Sequence, residues 1–129
     1  MPSNTITSFA DWLDDHCQRL RNLEAEAEHM LYQEKNQEKY AALMHQKARM
    51  LQNLAQEAAP RAATLPEAVA ASVMQRLERF SGNATRALSI GSIFYMYALL
   101  YPDNHVKGQP NNLDILVAEI RVQAGQEEA

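Results

Sequence analysis

The sequence predicts an all-α fold: a bundle of about five helices with a long N-terminal helical hairpin and a buried apolar fourth helix. Its 129 residues include 20 Ala and 14 Leu, which form helices readily, but only 5 Val and 5 Ile, which favour strands. Apolar residues recur every three or four positions, as on one face of an α-helix. The length suits a single domain, residues 1–129, with residues 1–7 and 125–129 expected to be frayed termini.

The first helix is predicted to begin at Ser8, whose side chain suits the N-cap position. Its apolar residues alternate spacings of four and three, which is typical of a helix packed lengthwise on another. They are Phe9, Leu13, His16, Leu20, Leu23, Ala27 and Met30. A second stripe follows, comprising Ala41, Met44, Ala48, Leu51, Ala55 and Ala58.

Two interpretations fit the polar residues 34–39 between these stripes. In the first, the chain turns near Asn36 into a hairpin, which places an acidic segment beside a basic one. In the second, one straight helix continues to about Ala58, and a partner chain must then cover its apolar seam. The charge contrast favours the hairpin.

The next helix is predicted from Thr64, which forms a capping box with Glu67, to a stop at Gly82. Residues 87–101 then carry no charge, and twelve of these fifteen residues are apolar. A membrane span needs roughly 18 residues, so this segment predicts a helix buried on all sides. After a loop from Pro102, the last helix is predicted to begin at Asn111 or Asn112.

Charge and cysteine content restrict the expected partners and compartment. The net charge of −4 disfavours binding to nucleic acid or to an anionic membrane, and no membrane span is predicted. Cys17 is the only cysteine, so no intrachain disulfide forms and a cytoplasmic location is expected. The N-terminus lacks a basic region followed by an apolar run, so no secretory signal peptide is expected.

Glu26 and His29 are the candidate metal ligands. Their spacing matches the Glu-x-x-His pairs of di-iron helical bundles. Such sites need a second pair and further carboxylates, which the following helix does not supply. A solvated helix flank is therefore the preferred interpretation, and neither a metal site nor a cofactor is predicted.

Arg79 and Arg86 are the candidate anion ligands. They flank Ser81-Gly82-Asn83, the predicted start of the fourth helix. Free backbone N–H groups at a helix start, together with two guanidinium groups, can hold a phosphate or a carboxylate. The alternative is a turn that ends at Gly82 and carries two solvated arginines.

The loop after the apolar segment holds a candidate polar cluster of Tyr101, Asp103, His105 and Lys107. Loops carry binding and catalytic residues disproportionately. Pro, Asp, Asn and Gly are also ordinary turn formers, so a plain connection between helices is the alternative.

The pattern as a whole favours a non-catalytic protein-interaction or assembly module. We expect a homodimer acting through long helix faces, because the apolar seam and residues 87–101 present much surface to be covered. No catalytic residues are identified. The alternative is a helical bundle that binds a small anion or a metal, and an enzymatic role belongs to this alternative.

Overall fold

A computed structural model describes residues 4–128 and confirms the all-α bundle. The five α-helices in this range are α1 (Asn4–Glu28), α2 (Gln37–Ala62), α3 (Glu67–Ile90), α4 (Ile93–Ala98) and α5 (Asn112–Glu128). A π-helical segment, His29–Gln33, continues α1. Within residues 4–128, no helix combines the length and the apolar character needed to cross a membrane.

The chain forms the predicted hairpin. It turns after the π-helical segment, and Asn36 caps the start of α2 by accepting a hydrogen bond from the backbone N–H of Lys39 at 3.0 Å. The seam of α1 packs against α2 and α5, with Leu13 and Leu20 fully buried. The seam is therefore covered within one chain.

Helices reach both ends of the described chain. The first helix begins at Asn4 rather than at Ser8, because Ile6 is buried and anchors the first turn to the core. At the other end, α5 extends to Glu128. The predictions for residues 1–3 and 129 lie outside the described residues.

The predicted stop at Gly82 is wrong, since α3 continues to Ile90. The Ser81 hydroxyl donates to the Leu51 carbonyl at 2.7 Å and accepts from the Ala55 N–H at 3.1 Å, which fastens α3 to α2. One glycine inside a helix costs only about 1 kcal/mol, which such contacts outweigh.

The start of α3 also differs from the prediction. Thr64 does not cap the helix, because its hydroxyl donates to the Arg61 carbonyl at 2.8 Å. Pro66 occupies the N-cap position instead, and α3 begins at Glu67. The helix therefore begins about two residues later than the capping box implied, while α2 continues through Pro60 to Ala62, so that residues 63–66 separate the two helices.

The predicted fourth helix, residues 87–101, is divided in the structure. Gly91 ends α3 with a left-handed φ of 74°, and Ser92 caps α4 by accepting from the Tyr95 N–H at 3.2 Å. The short α4 buries Met96, but it is not covered on all sides. Four large side chains around it are exposed, namely Ile90, Phe94, Tyr95 and Tyr97.

The predicted start of the last helix is confirmed at Asn112. Asn111 and Asp114 cap it reciprocally: the Asp114 N–H donates to Asn111 Oδ1 at 2.8 Å, and the Asn111 N–H donates to Asp114 Oδ2 at 3.0 Å. Ion pairs join α5 to α1, including Arg121 with Asp11 at 2.9 Å. These contacts fix the end of the 99–111 loop.

Candidate functional site

An open cleft of about 660 Å³ lies between α3, α4 and the start of α5. Its floor includes Leu51, Leu99 and Leu100, and Tyr95 stands on its α4 side. Arginines line the α3 side. We call this feature the arginine cleft. Its α3 residues are Arg76, Arg79, Phe80, Asn83, Arg86, Ala87 and Ile90.

The arginine cleft brings together the two predicted anion ligands, but not for the predicted reason. Arg79 and Arg86 do not flank a helix start, because α3 is continuous between them. They lie seven residues apart, which is two helical turns, so both point to the same face. Arg76 and Asn83 belong to this face and line the cleft with them.

The three arginines differ in their partners. Arg76 donates a hydrogen bond to Glu119 of α5 and is half-buried. Arg79 and Arg86 are exposed and form no ion pair with any side chain of residues 5–126. The cleft therefore holds two guanidinium groups whose hydrogen-bonding capacity is open to a ligand.

Beside the arginine cleft, α4 presents apolar rings to the solvent. Phe94 is 70% exposed and Tyr97 is 47% exposed, and neither lines the cleft. We call this pair the α4 aromatic surface. Tyr95 and Ile90 are also exposed, but they line the cleft. Exposed aromatic residues close together are typical of protein interfaces rather than of a solvated helix.

Beside α4 there is also a buried charged network that sequence analysis missed, and it borders both other features: Tyr101 belongs to it and lines the cleft, and Lys47 Nζ lies 5.8 Å from the centre of the Tyr97 ring. Lys47 of α2 is fully buried, and its Nζ lies 2.9 Å from Glu24 Oε2 and 2.7 Å from the Tyr97 carbonyl oxygen. The Tyr101 hydroxyl donates to the same Glu24 oxygen at 2.6 Å. The ammonium also lies 4.8 Å from the centre of the Tyr101 ring, a cation–π contact.

The pKa shifts in this network agree with its burial. Burial lowers the pKa of Lys47 from its ordinary value, while the Glu24 carboxylate opposes that shift. Burial and the hydrogen bond to Glu24 raise the pKa of Tyr101. Three groups thus share one site, in which Lys47 and the Tyr101 hydroxyl both bind the carboxylate. This is a structural connection between α1, α2 and the 99–111 loop.

The predicted loop cluster is dispersed in the structure. Tyr101 lines the arginine cleft and contacts Glu24, and the His105 ring packs on Tyr101 at 4.6 Å between centres. Lys107 Nζ lies 3.6 Å from Glu28. Asp103 is exposed, away from these contacts. Of the four residues, only Tyr101 reaches the cleft.

The other candidates singled out from the sequence lie apart from the cleft. Glu26 and His29 are exposed, and His29 Nε2 lies 3.3 Å from Glu34. In the described part of the chain, no three His, Cys, Asp or Glu side chains are grouped as metal ligands would be. Cys17 is buried, and burial raises the pKa of its thiol to about 12. It is a core residue.

Two patterns in the sequence could have identified the cleft residues of α3 and the buried Lys47. Arg76, Arg79, Asn83 and Arg86 have the spacing three, four, three, which defines one helix face once Gly82 is not taken as a stop. Lys47 interrupts the apolar stripe of α2 between Met44 and Leu51, so its burial follows from periodicity.

This arrangement supports binding. The arginine cleft offers donors for an anion, and the α4 aromatic surface offers apolar area to another protein. Comparisons of the chain with protein-family models, with curated proteins and with solved structures found no match. A functional proposal for this protein therefore starts from its own surfaces.

Proposed function

We propose that the protein is a non-catalytic interaction module that forms a homodimer through the α4 aromatic surface. The observation that carries this proposal is the exposure of Phe94 and Tyr97 on a six-residue helix whose other side is fixed in the core by Met96. Leaving such rings in water forgoes the free energy that their burial would supply, about 25 cal/mol per Å² of apolar area. A partner surface would recover it.

A second copy of the chain suits this surface because of its charge. From Ala87 to Pro102 the sequence carries no charged side chain. In a twofold-symmetric dimer the same patch meets itself, so any charge at its centre would face a like charge. The uncharged aromatic centre avoids that repulsion, and tyrosine hydroxyls at its edge can still reach water.

The proposed surface differs from the long helix faces expected at first. The apolar seam of α1 is covered by α2 and α5 of the same chain and needs no second copy. The exposed rings of the short α4 support dimerisation instead. We place the dimer in the cytoplasm, because the single cysteine is compatible with a reducing compartment.

Solution mass tests the proposal directly. Light scattering coupled to size exclusion should give twice the 14.6 kDa of one chain at micromolar concentrations. The variant Phe94→Ser should elute as a monomer with unchanged helical circular dichroism; Tyr97 is left in place because its ring also contacts Lys47 and Tyr101. Tyr32→Ser is the matched control, since Tyr32 is 65% exposed but lies on the π-helical segment.

Two results would contradict the proposal. One is a wild-type protein that stays monomeric up to several hundred micromolar. The other is a dimer that survives Phe94→Ser, because the interface would then not depend on the α4 aromatic surface; if Tyr32→Ser dissociated that dimer, the interface would lie at the hairpin turn.

A further inference from the structure

We propose that the arginine cleft binds a small molecule through a polyphosphate group, meaning two or more linked phosphates. This binding is separate from dimerisation, because Phe94 and Tyr97 do not line the cleft. Three observations support it: the spacing of the arginines, the lack of partners for two of them, and the size of the space they enclose.

The spacing of the arginines favours several linked anionic groups over a single one. At 1.5 Å per residue, the backbones of Arg79 and Arg86 are about 10 Å apart along α3, and those of Arg76 and Arg86 about 15 Å. One phosphate cannot reach guanidinium groups distributed over that length unless the side chains converge fully. A chain of two or three phosphates follows the line of the helix and meets each arginine in turn.

The charge of the arginine cleft is not balanced by the protein. Arg76 has Glu119 as its partner, but Arg79 and Arg86 have no carboxylate partner among residues 5–126. The chain as a whole is acidic, with 16 Asp and Glu against 12 Lys and Arg. A concentration of positive charge on one helix face of an acidic protein attracts a polyanion locally without making the whole surface basic.

The dimensions and lining of the cleft fit a small ligand. Its volume of about 660 Å³ lies within the roughly 300–1,000 Å³ of small-molecule sites. Leu51, Phe80 and Leu99 line it beside the arginines. Apolar walls lower the local dielectric constant, which strengthens hydrogen bonds between guanidinium groups and phosphate oxygens. The amides of Asn83 and Asn112 add neutral donors.

The test uses inorganic tripolyphosphate, pyrophosphate and monophosphate at equal ionic strength, with binding measured by calorimetry. Wild-type protein should bind tripolyphosphate most tightly and monophosphate least. Arg79→Gln and Arg86→Gln should each weaken tripolyphosphate binding about tenfold, since a hydrogen-bonded charge pair is removed. Arg49→Gln removes the same charge from an exposed position on α2 outside the cleft and is the matched control.

The outcomes separate a specific site from general attraction. If the wild-type protein binds none of the three anions, or binds monophosphate as tightly as tripolyphosphate, the proposal is wrong. If Arg49→Gln weakens binding as much as Arg79→Gln, the attraction is general and the cleft is not a site. Circular dichroism of each variant verifies folding, and solution mass, measured separately, reports on the dimer alone.

Discussion

Two charged sites beside α4 differ in how their charges are paired. In the buried network, Lys47 is fully buried, and its ammonium contacts a carboxylate, a carbonyl oxygen and two aromatic rings. In the arginine cleft, Arg79 and Arg86 have no ion-pair partner among residues 5–126. The α4 helix supplies the Tyr97 carbonyl to the network and the Tyr95 ring to the cleft.

Because of this difference, the Lys47 network serves the stability of the fold, whereas the arginine cleft is open to a ligand. A buried charge must be fully paired, because an unpaired one costs several kcal/mol, so the Lys47 network has no capacity left for a ligand. An exposed arginine costs little to leave unpaired, since water solvates it. The arginine cleft therefore can keep its donors available. Substitutions in the Lys47 network should accordingly lower the stability of the fold, whereas substitutions of Arg79 or Arg86 should leave it nearly unchanged.

The largest effect is expected from Glu24→Gln. This change removes the only carboxylate that contacts Lys47 in the described chain and leaves its ammonium buried without a counter-charge. Breaking a buried pair on one side costs about 3–5 kcal/mol, so the free energy of unfolding should fall by that amount. Urea denaturation at pH 7, followed by circular dichroism, measures it.

A matched control and a rescue test this explanation. Glu26→Gln, an exposed position on the same helix, should change stability by less than about 0.5 kcal/mol. Adding Lys47→Met to Glu24→Gln should restore much of the loss, because an apolar side chain of similar volume needs no partner. An equal loss from Glu24→Gln and Glu26→Gln would show that the network does not stabilise the fold.

The second effect concerns the loop that this network holds. Tyr101→Phe removes the hydroxyl that donates to Glu24 but keeps the ring beneath His105. Hydrogen bonds to charged groups contribute about 1.5–3 kcal/mol, so stability should fall by that amount or less. The loop between α4 and α5 should also become more sensitive to limited proteolysis. Unchanged stability together with unchanged cleavage would show that the hydrogen bond between Tyr101 and Glu24 does not hold this loop in place.

The sequence predicted the fold correctly where a local repeat of apolar residues determines burial, and incorrectly where tertiary contacts determine a helix boundary. The hairpin and the core positions of α1 and α2 were predicted correctly, because burial there follows a simple repeat of apolar residues, as at Leu13 and Met44. The boundary between α3 and α4 was misplaced. Gly82 and Gly91 look alike in the sequence, and only tertiary contacts such as the Ser81 hydrogen bonds to α2 determine which one ends the helix.

The lining of the arginine cleft was predicted in part for a related reason. Arg79 and Arg86 were singled out, but their placement at a helix start was wrong, and Arg76 was overlooked. All three share a face only if α3 is continuous. Lys47 and Glu24 were missed because their pairing joins residues on different helices, and no local pattern specifies which buried lysine meets which carboxylate.

The third prediction concerns Gly91, which ends α3 and so sets where α4 begins. Gly91→Ala places a Cβ in open space but forces a left-handed residue at φ 74°, which costs about 1–2 kcal/mol. Gly82→Ala is the control, because Gly82 lies inside α3, and alanine there should stabilise the protein by up to about 1 kcal/mol. Thermal unfolding should give shifts of opposite sign. Shifts of the same sign would place the helix end elsewhere.

The smallest effect should come from the arginines themselves. Arg79→Gln and Arg86→Gln each remove an exposed charge with no partner in residues 5–126, so the free energy of unfolding without ligand should change by less than about 0.5 kcal/mol. Arg76→Gln should cost slightly more, since it also breaks the contact with Glu119. Urea titrations of the three variants measure these differences. If Arg79→Gln or Arg86→Gln destabilised the protein as much as Glu24→Gln, the arginines would support the fold, and the arginine cleft would not differ from the Lys47 network in its contribution to stability.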